Sequence, residues 1–186
     1  MHATTLAMTP FRRACKRGDL AEAQRLFGLG GVHIHADNAD SAFWRVCRNG
    51  HLSVAQWLFS LGGVDIHAHN DAAFRGACCH GHLVVAQWLL SLGGVDIHAQ
   101  EDSAFRVACL FGHLVVAQWL LSLGGVDIHA QEDFAFRVAC LYGHLGLGRW
   151  LCAFEPEWPW AADSLQALKI WSRPRDAWMR AVVYNW

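Results

Sequence analysis

Four glycines, Gly50, Gly81, Gly112 and Gly143, stand 31 residues apart, and each is followed by His and Leu. Gly18-Asp19-Leu20 adds a divergent fifth copy, one residue further off. Residues 82–102 and 113–133 are identical, reading HLVVAQWLLSLGGVDIHAQED in both. Self-similarity at this period marks a stacked architecture, in which one small unit is duplicated and hides its apolar face only against its neighbours.

Each unit reads as two short helices. Within 103–111, Phe105, Ala108 and Cys109 fall at helical spacing and give one apolar face. Gly112 ends that helix, because glycine takes the left-handed C′ conformation without steric penalty. His113 and Leu114 form the turn, and Val116, Trp119, Leu120 and Leu123 mark a second helix. Gly124-Gly125 stops it, and Val126 to Glu132 reads as a short extended link. Helices of about ten residues are marginal alone, so the pairs must stack. The spacing predicts helix pairs near 10–28, 41–61, 72–92, 103–123 and 134–153, in repeats spanning about 9–39, 40–70, 71–101, 102–132 and 133–153, set in one gently curved row.

Composition narrows the partners. With 54% apolar and 17% charged residues the chain has the means to fold, and a formal charge of −1 gives no reason to expect nucleic acid or an anionic membrane. The basic first repeat, Arg12, Arg13, Lys16, Arg17 and Arg25, reads as a solvated end face. Met1 to Thr9 lacks the pattern of a secretory signal, and Gln, Asp, His or Arg interrupts every apolar run before it could span a bilayer. Seven cysteines, an odd number, recur mostly at one place in the repeat, which reads as free thiols in a reducing compartment. The expected address is intracellular, cytoplasmic or nuclear.

The run GHLVVAQWLL followed by GGVDIHA resembles the second half of the ankyrin repeat, and Thr9-Pro10-Phe11-Arg12-Arg13-Ala14-Cys15 is similar to its Thr-Pro-Leu-His-x-Ala-Ala opening. The resemblance covers about residues 9–153. It departs at Ser41-Ala42, Ala72-Ala73, Ser103-Ala104 and Phe134-Ala135, where the family has Thr-Pro, and at Arg45, Arg75, Arg106 and Arg137, placed at the family's His. It also departs in the doubled glycines and the short link that follows each second helix. The resemblance implies an all-α, ankyrin-type helical-repeat solenoid over residues 1–153 with shortened hairpin fingers, closed by a helical C-terminal cap at 154–186. It implies a protein–protein interaction module that presents a concave surface to a protein partner. The abbreviated style is similar to ankyrin arrays encoded by giant DNA viruses and their protist hosts.

Several residue sets invite other chemistry. Cys47, Cys78, Cys109 and Cys140 each precede a His by four residues, but each Cys lies inside a helix and each His beyond the terminating glycine, so the pairs diverge. A closed zinc site needs four converging ligands, and no metal or cofactor is expected. The Asp-x-His runs beginning at Asp65, Asp96 and Asp127 read as loop hydrogen bonding. Trp57, Trp88, Trp119 and Trp150 read as packing between repeats. A repeat supplies like residues along a line, whereas catalysis needs unlike groups at one point, so no enzyme and no small-molecule substrate are expected.

The partner-binding residues come from variation within otherwise identical units. The two residues before each glycine change most: Lys16-Arg17, Arg48-Asn49, Cys79-His80, Leu110-Phe111 and Leu141-Tyr142. The resemblance to ankyrins puts this pair on the concave side of the first helix. Leu110, Phe111, Leu141 and Tyr142 are the expected anchor patch, with Arg48, Asn49, Cys79 and His80 as its flank, in a monomer. Beyond Phe154, Asp163 to Ser172 and Arg175 to Tyr184 read as two capping helices divided by Pro174. The alternative reading is a substrate adaptor for a ubiquitin ligase, because Ser164-Leu165-Gln166-Ala167-Leu168 bears a faint likeness to the start of a SOCS box.

Overall fold

A computed structural model describes residues 2–30 and 39–154. They form α1 (His2–Arg17), α2 (Leu20–Gly28), α3 (Ala39–Arg48), α4 (Leu52–Ser60), α5 (Ala68–Cys79), α6 (Leu83–Ser91), α7 (Ala99–Leu110), α8 (Leu114–Ser122), α9 (Ala130–Leu141) and α10 (Leu145–Phe154). Odd-numbered helices are the first of each pair and even-numbered the second, with no strand among the described residues. The chain divides into two compact units, residues 1–104 and 105–186. The cap read over 154–186 and the ligase-recruiting stretch within it lie outside the described residues.

In the first unit the core repeats with the sequence. Phe11, Ala14 and Cys15 of α1, Phe43, Val46 and Cys47 of α3, and Phe74, Ala77 and Cys78 of α5 are buried at matching positions. Val54, Ala55 and Leu58 of α4 and Val85, Ala86 and Leu89 of α6 supply the other wall. Each buried Phe or Leu contributes about 1.5–3 kcal/mol by leaving water. The second-helix Trp rings lean back on the preceding pair. Trp57 meets Phe11 and Phe27 edge-on at centroid separations of 6.2 and 5.7 Å. Trp88 meets Phe43 and Phe59 at 6.2 and 5.9 Å. The second unit repeats the scheme with Phe105, Ala108 and Cys109, then Phe136, Ala139 and Cys140. In α10, burial of Leu147 and Leu151 carries a helix that Gly146 and Gly148 would otherwise weaken.

The first helix of every pair ends on one turn. In the second pair His51 N–H donates to Val46 O (3.1 Å) and Gly50 N–H to Cys47 O (3.1 Å), the paired bonds of a Schellman motif with Gly50 at C′. The same pair of bonds closes at Gly18, Gly81, Gly112 and Gly143.

Three expectations are corrected. α1 runs through Pro10 rather than starting there, although the proline nitrogen has no hydrogen to donate. The link between pairs is not simply extended: His69, Asn70 and Asp71 are left-handed, with φ of 56–57°, as are Gln100, Glu101 and Asp102, and Gln131 and Asp133. The arginine register also shifts, because Arg12, Trp44, Arg75, Arg106 and Arg137 each lie six residues before a turn glycine, whereas Arg45 lies five before Gly50.

The left-handed turn costs about 1–2 kcal/mol per residue, so something must hold it. Asp71 is buried there and faces Nδ1 of His67 at 2.6 Å, while its other oxygen accepts from Asp96 N–H at 3.3 Å. Arg75 donates to the His69 carbonyl at 3.0 Å and to the Gln100 side chain. The arginine that replaces the family's histidine thus ties one turn to the next. His98–Asp102 and His129–Asp133 repeat the histidine bond at 2.7 Å. Asp71→Ala should lower the unfolding free energy by about 2 kcal/mol in a urea titration, since it removes charge-assisted hydrogen bonds and puts an alanine at positive φ. Asp71→Asn keeps an acceptor and tolerates this backbone region, so it should cost less than half as much. Equal losses for the two would show that the carboxylate is not what holds the turn.

Candidate functional site

The variable pairs sit at the C-terminal ends of the first helices, where the structure leaves them at the surface or half-buried. In the first unit, Lys16, Arg17 and Arg48 are exposed, and Asn49, Cys79 and His80 are half-buried. Their side chains are already tied to one another. The Arg48 guanidinium lies over the Trp44 ring, 5.2 Å from its centroid, and Nε donates to Nε2 of His80 at 3.0 Å. The other His80 nitrogen, Nδ1, faces the Gly76 carbonyl at 3.1 Å. One nitrogen meets a donor and the other an acceptor, which selects the neutral Nδ1–H tautomer. Burial pushes the Cys79 thiol upward, and the Arg48 charge offsets part of that push.

Asn49 serves the fold as well as the surface. Its Nδ2 donates to the Lys16 carbonyl at 3.2 Å, and Nε2 of His51 bonds the same oxygen at 3.0 Å. His51 therefore ties its repeat to the one before it rather than fastening its own turn. In the second unit Nε2 of His144 makes the corresponding bond to Leu110 O, also at 3.0 Å.

The second unit is apolar where the first is cationic. Phe111 is 52% exposed and Tyr142 60%, while Leu110 and Leu141 beside them are half-buried. Tyr142 stacks on His144, with ring centroids 6.4 Å apart and planes inclined by 26°. On the second helices Val84 and Val115 are also exposed, one in each unit.

Sequence reasoning missed several of these residues. Trp44 and Gly76 escaped because each breaks the repeat at its own position, Trp44 for an arginine and Gly76 for a bulky residue. Asp71 escaped although the spacing Asp65-x-His67-x-x-x-Asp71 recurs as Asp96, His98, Asp102 and as Asp127, His129, Asp133. Among the described residues no group of three or more His, Cys, Asp or Glu is placed to hold a metal ion, and no helix is long and apolar enough to cross a membrane.

Glycine-stopped helix pairs, alike in their buried positions and variable at the exposed helix ends, define a helical-repeat protein. The family model for ankyrin repeats, in three copies, matches residues 11–101. The chain is an ankyrin-repeat protein, one of a family of binding scaffolds that are not typically enzymes. The helix pairs continue past the matched segment to Phe154. No curated protein matches the chain.

Proposed function

We propose that this protein is a monomeric, intracellular binding module without catalytic activity, and that Leu110, Phe111, Leu141 and Tyr142 anchor a protein partner. The observation that carries the reading is the exposure of Phe111 and Tyr142, two aromatic rings at positions where the repeats differ. Exposed aromatic rings beside half-buried leucines have the composition of an interface core. An idle surface gains nothing from them. Buried Cys15, Cys47, Cys78, Cys109 and Cys140, none in a disulfide, support a reducing compartment. Arg48, Asn49, Cys79 and His80 contribute polar recognition in the first unit.

The test is a partner-capture comparison. Phe111→Ser with Tyr142→Ser should leave the melting temperature within a few degrees of the parent, because rings this exposed contribute little to folding. Each anchor is worth about 2 kcal/mol of binding, so the double variant should lose its partner. Val115→Ser, at an exposed apolar position on α8, should keep it. If capture is equal for both variants, or if the double variant unfolds, the anchor assignment is wrong.

A further inference from the structure

We propose that the exposed cations of α1 and α3, namely Arg13, Lys16, Arg17, Arg45 and Arg48, form a docking surface for a carboxylate-rich segment of a protein partner. The proposal rests on the reading of the first helices as partner-facing, and goes beyond it by fixing the chemistry of the ligand.

The placement follows from register. Arg13 and Lys16 are separated from Arg45 and Arg48 by 32 residues each, the offset between Gly18 and Gly50, so they occupy equivalent positions on successive first helices. The joint bonding of Asn49 and His51 to the Lys16 carbonyl fixes the two helix ends side by side. On α1 the cations take the i, i+3 and i+4 positions opposite the buried Phe11, Ala14 and Cys15. All five side chains are exposed.

Nothing acidic among the described side chains neutralises this surface. α1 contains no Asp or Glu, and α3 holds one acid, Asp40, in its first turn; Asp19, the acid nearest to α1 along the chain, caps α2 by accepting from Glu22 N–H at 3.0 Å, and Glu22 is engaged with Arg25 at 2.6 Å. Helix-dipole compensation could explain cations in a last turn, at about 0.3–1 kcal/mol each. The repeats themselves supply the control: α5, α7 and α9 end in similar glycine turns with no basic residue in the last turn. The cations are thus dispensable for the turn and particular to the first two pairs.

Arg48 is held ready. Its guanidinium carbon lies 5.2 Å from the Trp44 ring centroid, and its Nε donates to His80 at 3.0 Å. Gly76 clears the space beneath, since a Cβ there would stand 3.1 Å from Trp44 Nε1 and 3.5 Å from Arg48 Cβ. A prearranged guanidinium loses less side-chain entropy on binding. Four of the five cations are arginine, whose fork pairs with a carboxylate through two parallel hydrogen bonds. Nucleic acid fits less well, because the whole chain carries a net charge of −1.

The test titrates the full chain with a short fluorescent peptide of Glu, Asp and Gly. Its Gln/Asn counterpart, an oligothymidylate of equal charge and phosphatidylserine vesicles are run in parallel. The acidic peptide should bind best, more weakly as salt rises, and about tenfold more weakly to Arg13→Gln/Arg45→Gln. Phe111→Ser/Tyr142→Ser should bind it like the parent, so that failure of the aromatic anchor and failure of this surface are read separately. Should the neutralised variant melt early, Arg13→Lys/Arg45→Lys replaces it, and a severalfold loss is expected because the charge stays and the fork goes. Absence of binding at low salt, affinity unchanged in the substituted chain, or tighter binding to the oligonucleotide or the vesicles would overturn the proposal.

Discussion

Replacing Gly112 by valine will lower the unfolding free energy by about 3 kcal/mol, enough to consume a large share of the stability of a domain this size. Two causes add. Gly112 sits at φ +76°, where an L-residue costs about 1–2 kcal/mol and a β-branched one more. A Cβ there would also lie 2.4 Å from Nδ1 of His144, whose Nε2 is bonded to Leu110 O at 3.0 Å. The ring has to leave, and that bond is lost with it, at about 1 kcal/mol. A double-mutant cycle separates the causes. In a His144→Ala background, Gly112→Ala should cost only the φ term, and the difference from its cost in the parent is the steric coupling. A Gly112→Val loss below about 1 kcal/mol in urea titration would mean that the turn takes another form.

The turn also shows how far the chain could be read without its structure. The glycine period, the apolar spacing and the identity of whole units fixed the helix pairs, because each is a local or periodic signal. Positive φ at Gly112 follows from the same logic. The His of the Gly-His-Leu run was legible as a turn residue but not as a tie to the preceding repeat, since its partner is a backbone carbonyl that leaves no mark in sequence. The left-handed turn was hidden for a different reason. His69-Asn70-Asp71 and Gln100-Glu101-Asp102 contain no glycine, and their conformation is held by distant side chains such as Arg75. Arg45 was aligned with Arg75 because both are arginine, although counting back from the glycines puts Trp44 there. The candidate surface was legible as variation; its division into a cationic first unit and an aromatic second unit needed the exposures.

The recurring cysteines make the other large prediction, an alkaline collapse. Burial pushes the Cys15 thiol up to about 11 and those of Cys47 and Cys140 up to about 12, from an ordinary value of 9.0, and raises Cys78 and Cys109 as well. A thiol raised on folding stays protonated in the folded chain while the unfolded chain ionises near pH 9. Above that pH the unfolded state binds fewer protons, so stability is full below pH 9 and falls as pH climbs toward the folded values. Each pH unit in that window withdraws about 1.4 kcal/mol per thiol, and by about pH 11 Cys47 alone has withdrawn about 3 kcal/mol. Several such groups together reach a typical stability of about 5–15 kcal/mol, so unfolding is expected between about pH 10 and 11. Urea titrations at stepped pH measure the slope directly. Cys47→Ala should start about 1 kcal/mol lower at neutral pH, from the cavity, yet lose stability more gently above pH 9, by about 1.4 kcal/mol per pH unit. Comparing the two slopes cancels tyrosine and lysine titration, which both chains share. Parallel slopes, or thiolate absorbance that appears before the helical signal falls, would show that these sulfurs are reached by water in the folded chain. Buried at matching positions beside Phe and Ala or Val in each first helix, the repeated cysteine packs as a small apolar side chain.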